Sequence, residues 1–459
     1  MRKKKKGLGL QTTQIIALGF VILILTGTIL LMLPISTVER TVTPAIDALF
    51  TATTSSCVTG LVTVVTGQHW SLFGQLVILM MIQLGGLGVV SFTTVLLMIA
   101  GQRIHLKQRM LIQEAYGFDT LKGMVRMVRK MLKGTLIVEG IGALLYMFVC
   151  IPRFGLLRGI WVSVFTSVSA FCNAGMDLFG DNSLMDYVGH PLINIVTMAL
   201  IVIGGLGFVV WWDVLAMIRR VRREKMGIGM SVRRMSLHSK LVLTVTGCLI
   251  VGGALIIFAL EHNNPGTMGH LTTGQKIWAS IFQSVTLRTA GFASINQGAL
   301  RTGSVLLGCV FMFIGGSPGG TAGGVKTVTV TLLAVAVISM VQSREDVEMG
   351  RRRIPMDTVL KGACIILIQA MFLLISIFAL SCIESDMYLI DIMYEVFSAL
   401  GTVGLTRGVT PAFSLAGKLV LIASMYFGRL GPITMALVMN VKAGKKKIHR
   451  QLPEGKIFV

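Results

Sequence analysis

Charged side chains are scarce in this sequence. They make up 14% of its 459 residues, whereas 54% are hydrophobic and the mean hydropathy is +0.79. A soluble domain of this size needs more charge to cover its surface, so the composition excludes an ordinary soluble protein. Several apolar segments are long enough, or nearly long enough, to cross a bilayer, and the clearest are residues 13–33, 136–151, 241–260 and 363–382.

Acidic residues are scarcer than basic ones, with 20 Asp and Glu against 42 Lys and Arg and a net charge of +22. A basic excess can indicate nucleic-acid binding, but 32 of the cations fall in five blocks beside apolar segments. Because cationic loops stay on the cytoplasmic side of a membrane, this placement indicates orientation, and anionic lipid headgroups, not nucleic acids, are the expected neighbours. The blocks are residues 2–6, 103–133, 219–240, 344–361 and 442–456.

Residue patterns typical of catalysis or metal binding are missing. The seven cysteines contain no C-x-x-C pair, and the seven histidines contain no H-x-x-x-H pair. We therefore expect no disulfide, no bound cofactor and no enzymatic activity. Residues 319–327 superficially resemble a phosphate-binding P-loop, but Val325 separates Gly324 from Lys326, and that motif requires lysine directly after its last glycine.

One pattern occurs four times along the chain. A glycine followed by a large apolar residue occurs at spacings of 115, 116 and 113 residues, as Gly60, Gly175, Gly291 and Gly404. Phenylalanine, a polar residue and then Ala or Ser precede each glycine, and a second glycine cluster follows it inside an apolar run. A regular period of this length indicates four copies of one structural unit. The second clusters are residues 84–88, 203–207, 314–319 and 427–431.

Each unit is predicted to contain an outer helix, a short helix, a glycine strand and an inner helix. The predicted fold is an all-α integral membrane protein, with eight spanning helices and four re-entrant pore helices in a pseudo-fourfold, potassium-channel-like arrangement around one pore. Since both long helices of each unit cross the membrane, the tails at residues 1–12 and 442–459 are expected in the cytoplasm. The predicted repeats are residues 13–102, 132–220, 239–341 and 358–441.

The four glycine strands are predicted to form a cation filter. Non-helical backbone at membrane depth is tolerated only where protein or water surrounds it, and strands that converge on one axis meet this condition. A ring of main-chain oxygens can replace the hydration shell of K+, and the strands contain no acid that would suit a divalent ion. The predicted filter residues are Cys57, Val58, Thr59, Gly60, Cys172, Asn173, Ala174, Gly175, Arg288, Thr289, Ala290, Gly291, Thr402, Val403 and Gly404.

Ionisable residues inside or beside the apolar segments need separate explanations. A cation is unfavourable in a cation pore, so Arg288 is expected to point away from the axis and to tie its strand to the pore helix, through an acid such as Asp177 or Glu395. Glu139 and Asp213 are expected at the membrane interface or in salt bridges with nearby basic residues.

The repeats closely resemble the Trk/Ktr/HKT superfamily of potassium transporters, in which four such units of one chain surround a single pore. The match covers nearly the whole chain and is most similar to the Ktr-type membrane subunit, because no extra helix pair precedes the first repeat. This resemblance implies potassium uptake by a homodimer that sits on a cytosolic ring of nucleotide-binding (RCK/KTN-type) subunits. It also leaves room for Na+ as an activator or coupling ion.

The identity of the transported ion rests on the same resemblance. Sodium-preferring HKT members carry serine at the position of Gly60, so glycine favours K+. The alternatives are a sodium- or ammonium-conducting pore of this fold and an ion-coupled carrier for another small solute.

Two departures from the repeat are predicted to form a gate. The third inner helix contains Pro318 and six glycines within ten residues; since proline removes a backbone donor and each glycine costs about 1 kcal/mol in a helix, this stretch cannot be continuous helix. The matching superfamily segment is an intramembrane loop that obstructs the pore. Arg429 replaces a glycine and is expected to face the cavity below the filter or to brace the inner helices. The predicted gate is Gly315, Gly316, Ser317, Pro318, Gly319, Gly320, Thr321, Ala322, Gly323, Gly324, Lys326 and Arg429.

Overall fold

The computed structural model describes residues 12–88, 124–344, 346–350 and 352–431. Some predicted features lie outside these residues: nearly all of the N-terminal tail, the whole C-terminal tail, and the last parts of the first and fourth predicted repeats. The basic blocks at residues 2–6 and 442–456, and most of the block at 103–133, also lie outside them.

Four helical units follow one another in the described chain. The first contains α1 (Thr12–Met32), a 3-10 turn (Pro34–Ser36), α2 (Ala45–Cys57), α3 (Thr66–His69) and α4 (Leu72–Leu87). The second contains α5 (Met124–Phe154), α6 (Leu156–Cys172), a 3-10 turn (Met185–Tyr187), α7 (Pro191–Leu206), α8 (Phe208–Arg223) and α9 (Ile228–Arg233).

The third and fourth units are joined by a short hairpin. The third contains α10 (Leu237–Glu261), α11 (Thr273–Thr286), a 3-10 turn (Gln297–Ala299), α12 (Thr302–Phe313) and α13 (Thr327–Val341). Antiparallel strands β1 (Glu348–Met349) and β2 (Arg352–Arg353) follow. The fourth unit contains α14 (Met356–Ile383), α15 (Leu389–Gly401), a 3-10 turn (Thr410–Ala412) and α16 (Leu415–Leu430).

The outer helix of each unit is long and apolar enough to cross a membrane. The qualifying spans are Gln14–Met32, Arg126–Phe154, Leu237–Glu261 and Met356–Ile383. These helices expose large apolar side chains such as Phe148 and Phe378, both of which are 73% exposed. A continuous apolar outer face of this kind is stable against lipid.

The short pore helices α2, α6, α11 and α15 lie inside the outer helices and contain between 13 and 17 residues. Phe50, Phe165 and Phe282, the repeated phenylalanines of the first three units, are completely buried. Each pore helix packs against the inner helix of the preceding unit: α6 against α4, α11 against α7, and α15 against α12. The contact of α2 with α16 closes this series into a ring.

The inner helices of three units end at the same position of the repeat. The helices α4, α7 and α16 end at Leu87, Leu206 and Leu430, and each is followed by a glycine with positive φ: Gly88 (82°), Gly207 (88°) and Gly431 (81°). Glycine adopts this conformation without the steric cost that other residues have.

The inner helix of the second unit is broken at this position, a feature that the sequence reasoning did not identify. After Gly207 the chain continues as α8, at an angle of 105° to α7. The C-terminal end of α8 is positively charged, because its last turn contains Arg220, Arg222 and Arg223.

Candidate cation filter and the loop beside it

A residue in the left-handed conformation follows each pore helix, directly in three units and after Leu287 and Arg288 in the third. These residues are Val58 (φ 55°), Asn173 (62°), Thr289 (65°) and Thr402 (50°), each two residues before the repeated glycine. The predicted strand residues Cys57 and Cys172 are the last residues of α2 and α6. Positive φ is uncommon for residues other than glycine. Its recurrence at one register therefore indicates that the four units fold in the same way at this point.

The four repeated glycines lie together. Their φ values are 104° for Gly60, 65° for Gly175, 84° for Gly291 and 95° for Gly404. A methyl group added at Gly60 would lie 3.1 Å from Cα of Gly175, and one added at Gly291 would lie 3.3 Å from Cα of Gly404. The corresponding distances from Gly175 to Gly291 and from Gly404 to Gly60 are 2.6 and 2.8 Å, so the glycines form a closed ring.

Each glycine of this ring also faces a main-chain oxygen of the next strand. A methyl group at Gly60 would lie 2.5 Å from the oxygen of Ala174, one at Gly175 would lie 2.8 Å from that of Ala290, and one at Gly291 would lie 2.6 Å from that of Val403. At Gly404 it would overlap the oxygen of Thr59. Side chains are therefore excluded from all four positions, by backbone conformation and by space.

The amide groups of the strands are bonded back to the pore helices. Thr59, Ala174 and Val403 each donate to a carbonyl in the last turn of their own helix at 2.8 Å, and Ala290 does so at 3.0 Å. Among the described residues, no hydrogen bond uses the main-chain oxygens of these same four residues. Four oxygens thus surround the glycine ring without an intramolecular donor, beside the C-terminal ends of four helices, and both features favour a cation.

Hydroxyl groups of the pore helices hold the strands in this conformation. Thr54 Oγ1 accepts from the amide of Gly60 at 2.9 Å, and Ser398 Oγ accepts from the amide of Gly404 at 3.0 Å. Ser169 Oγ accepts from the amide of Met176 at 3.1 Å, and Thr286 Oγ1 donates to the oxygen of Phe292 at 2.7 Å. A hydroxyl group near the end of the pore helix therefore holds the strand in each of the four units.

The chain between α12 and α13, residues 314–326, contains no helix and is called the loop below. It folds back on itself, because the amide of Gly315 donates to Val325 at 2.9 Å and that of Gly316 donates to Gly323 at 3.3 Å. Two further amides reach the end of α7: Ser317 donates to Gly205 at 3.0 Å, and Thr321 donates to Gly204 at 3.1 Å. The loop thus supplies donors to carbonyls that α7 leaves open where it ends.

The loop also contacts one end of the candidate filter. Thr321 Oγ1 donates to the oxygen of Phe171 at 3.1 Å, directly before the filter residue Cys172. A methyl group at Gly323 would overlap Oγ1 of Thr402, so the loop packs against the first residue of the fourth strand. Lys326 Nζ donates to the oxygen of Ala322 at 2.7 Å, within the loop.

Arg429 connects three units. Its guanidinium group donates to the oxygen of Thr321 in the loop and to the oxygens of Gly85 and Gly86 at the end of α4. The guanidinium group therefore supplies donors to carbonyls at the end of α4, just as the loop amides supply donors at the end of α7. Its positive charge is also favourable beside a helix C-terminus. These contacts are those of a brace between the inner helices and the loop.

The comparison with family models covers almost the whole chain. Residues 7–450 match the family described as TrkH, cation transport protein. The chain belongs to the TrkH family.

Relatives within this superfamily are similar along their full length. The chain is 40% identical to Ktr system potassium uptake protein B of Bacillus subtilis over 445 residues, covering 97% of this chain and 96% of that protein. It is 39% identical over 460 residues to the potassium/sodium uptake protein NtpJ of Enterococcus hirae, covering 100% and 99%. The resemblance to the Ktr type inferred from the repeats is thus confirmed.

A solved structure supports the fold. The crystal structure of the potassium transporter TrkH from Vibrio parahaemolyticus aligns with a TM-score of 0.73 over 96% of this chain and 86% of that chain, at 18% sequence identity. The predicted class, a helical membrane protein with the fold of this superfamily, is confirmed by this match and by the apolar spans.

The predicted acidic partner of Arg288 was wrong for this TrkH-family chain. Arg288 is buried, and its Nη2 atom donates to Oγ1 of Thr246 in α10 at 3.4 Å. Asp177 instead accepts from Ser183 and the amide of Phe179, and Glu395 accepts from Thr406, Thr410 and the amide of Arg407. Both acids organise the loops that follow their strands, so they are not available to Arg288.

The expected position of Glu139 was wrong, and Asp213 has identified hydrogen-bond partners. Glu139 is 5% exposed and accepts from Nε2 of Gln83 in α4 at 3.1 Å, so it is neither interfacial nor paired with a described basic residue. Asp213 accepts from the hydroxyl groups of Ser236 and Ser239, each at 2.5 Å, and from the amide of Ser236, and it thereby holds the start of α10.

Sequence reasoning missed two features of the site. One is the ion pair between Asp47 of α2 and Lys418 of α16, whose atoms lie 2.9 Å apart and join the first unit to the fourth. The sequence does contain a signal for this pair, because each of the two is the only charged residue in the first turn of its helix. The other is the close packing of the second glycine clusters: methyl groups at Gly85, Gly204 and Gly428 would overlap the oxygens of Ser56, Phe171 and Leu400.

Proposed function

We propose that this chain takes up potassium across the cell membrane through the ring of main-chain oxygens around Gly60, Gly175, Gly291 and Gly404. The observation that carries the proposal is the set of four oxygens, from Thr59, Ala174, Ala290 and Val403, that accept no hydrogen bond from any of the described residues. Oxygens in this position can replace the water around a monovalent cation. The names of two similar proteins, a potassium uptake protein and a potassium/sodium uptake protein, support the same ion class.

The test of this proposal is to measure growth of a transport-deficient bacterial strain at limiting potassium. Expression of this chain with the regulatory subunit of a Ktr system is expected to restore growth. Vesicle uptake of Rb+ should be competed by K+ much more strongly than by Na+ or NH4+. Equal competition by Na+ would favour the sodium-conducting alternative, and no cation uptake by correctly inserted protein would contradict the proposal.

The loop and Arg429 are proposed to gate this path. The loop bonds to α7 and Phe171 and is held by Arg429, so it joins the ends of inner helices from three units directly beside the filter. Six glycines give it few side-chain contacts to break when it moves.

Deleting residues 319–322 should raise cation flux several-fold. The deletion removes the amide of Thr321 that donates to Gly204, the oxygen of Thr321 that Arg429 binds, and the oxygen of Gly319 that accepts from Phe208. The pairing between Gly316 and Gly323 can persist. Rb+ flux per inserted molecule is the measurement, and an unchanged flux from a folded, inserted variant would contradict gating.

The assembly proposed for this chain follows its Ktr-type relatives. "Ktr system" implies more than one component, so we assign this chain the membrane-subunit role, as a homodimer above a cytosolic nucleotide-binding ring. Both tails and the described basic residues of α8 and α9 would then face the cytoplasm, as the positive-inside rule predicts. Sodium remains a proposed activator or coupling ion. Labelling of single cysteines introduced at Lys225 and at Gly408 tests the orientation, since only the second should react from outside.

A further inference from the structure

The third filter strand is bonded to the second unit just after the glycine ring. Ala293 lies two residues after Gly291; its amide donates to Oγ of Ser183 at 3.4 Å, and its oxygen accepts from the amide of Leu184 at 3.0 Å. Among the described residues, no other strand has a main-chain hydrogen bond to another unit at this position. The equivalent residues are Val62, Asp177 and Thr406.

Ser183 has an unusual backbone conformation. Its φ is 49°, in the left-handed region that residues other than glycine, asparagine and aspartate rarely adopt. A residue keeps such a conformation only where its surroundings hold it there, and these residues cluster at functional sites. In this conformation Oγ of Ser183 and the amide of Leu184 both face Ala293.

Asp177 orients the hydroxyl group of Ser183. This hydroxyl donates to Oδ2 of Asp177 at 2.7 Å, and Oδ1 of Asp177 accepts from the amide of Phe179 at 3.1 Å. Because the serine proton points to the carboxylate, a lone pair of Oγ is left to accept from the amide of Ala293. Asp177 itself lies two residues after Gly175, so this chain of bonds joins equivalent positions of the second and third strands.

The two strands that are joined in this way also meet most closely in the ring. A methyl group at Gly175 would lie 2.6 Å from Cα of Gly291, the shortest such distance among the four neighbouring pairs of glycines. Consecutive Cα atoms are about 3.8 Å apart, so Asp177 and Ala293 lie within roughly 8 Å of the ring glycines of their own strands. A shift of Ser183 would therefore change the spacing of these strands at the proposed filter.

We propose that Ser183, oriented by Asp177, is a positioning residue that determines the selectivity of the filter for K+ over Na+. Neither residue contacts the ion. Ser183 fixes the distance between the second and third strands and thereby the size of the oxygen ring, and a ring held at one size disfavours the smaller Na+. This inference rests on the proposed function and adds to it the residues that hold the ring.

Ser183→Gly is the sharpest test, because glycine favours the left-handed backbone while the hydroxyl group is removed. The ratio of K+ to Na+ in competition for Rb+ uptake should fall about three- to fivefold, a factor of the size that one lost hydrogen bond supplies. Asp177→Asn should act in the same direction, because one of its two side-chain atoms can no longer accept a hydrogen bond. The double variant should show no further fall, since the two residues belong to one chain of bonds.

Ser294→Ala is the matched control. Its hydroxyl group is buried next to Ala293 in the sequence and has no partner among the described residues. This variant should leave selectivity unchanged. A fall as large as that in Ser183→Gly would show that any change in this segment disturbs the filter, and it would overturn the inference.

The outcomes separate this inference from the proposed function. Unchanged selectivity in Ser183→Gly with normal flux would overturn the inference alone, whereas an unmodified protein without K+-selective flux would overturn the proposed function. If the variants do not fold, a cryo-electron microscopy map of the unmodified protein decides the case. Oγ of Ser183 within hydrogen-bond distance of Asp177 and of the amide of Ala293 supports the inference, and a side chain turned away from either overturns it.

Discussion

Gly60→Ser is expected to lower the ratio of K+ to Na+ flux by at least about tenfold. Gly60 has φ of 104°, and a Cβ atom would lie 2.5 Å from the oxygen of Ala174. Left-handed backbone costs other residues about 1–2 kcal/mol, and 1.4 kcal/mol corresponds to a factor of ten in an equilibrium constant. The serine must therefore displace one of the four ring oxygens or change its own strand, and both changes alter ion coordination.

The measurement is competition of Na+ and K+ for Rb+ uptake, with protein amount determined in the same vesicles. Gly252→Ala is the matched control, because Gly252 lies within α10 and no described atom outside the local backbone of that helix lies within 4 Å of an added methyl group. This control should leave flux unchanged and keep or improve stability, since alanine favours helix more than glycine does. Unchanged selectivity in Gly60→Ser would contradict the ring as the site of selection.

Arg429→Ala is expected to raise K+ flux about three- to tenfold. The substitution removes the donors to Thr321, Gly85 and Gly86, so the loop loses its connection to α4. It also removes a positive charge close to the proposed cation path. A unit charge roughly 10 Å from an ion, at an effective dielectric of about 20, changes its energy by roughly 1–2 kcal/mol, which corresponds to about tenfold.

Arg429→Lys separates the two contributions. Lysine keeps the charge but cannot reach three oxygens with the planar geometry of a guanidinium group. If repulsion limits flux, Arg429→Lys should behave like the unmodified protein, and if the brace limits flux, it should resemble Arg429→Ala. A loss of folded protein with no rise in flux per molecule would show that the brace serves assembly instead of gating.

Much of the architecture could be predicted because a repeated pattern can be recognised by comparing the sequence with itself. The spacing of Gly60, Gly175, Gly291 and Gly404 located the four strands, and the structure brings these glycines together. Pro318 predicted the break in the third inner helix, because proline lacks the backbone N–H group that a regular helix needs. Such features depend on local sequence, which is why they could be found without coordinates.

The remaining features depend on which segments meet. A single glycine costs too little free energy to end a helix, so the cluster around Gly207 did not by itself predict the bend. The bend also depends on the loop of the next unit, whose amides donate to the carbonyls of Gly204 and Gly205. Glu139 was misplaced because its partner, Gln83, belongs to another unit. Arg288 was given an acidic partner by charge alone, whereas Asp177 and Glu395 are bonded to hydroxyl groups and amides of their own loops.

The most direct test of the ring is a cryo-electron microscopy map of the protein in lipid nanodiscs with K+ as the sole cation. The account predicts four extended strands that meet at Gly60, Gly175, Gly291 and Gly404, with ion density among the oxygens of Thr59, Ala174, Ala290 and Val403. Strands that lie apart, or a ring whose oxygens are bonded within the protein and hold no ion, would contradict it.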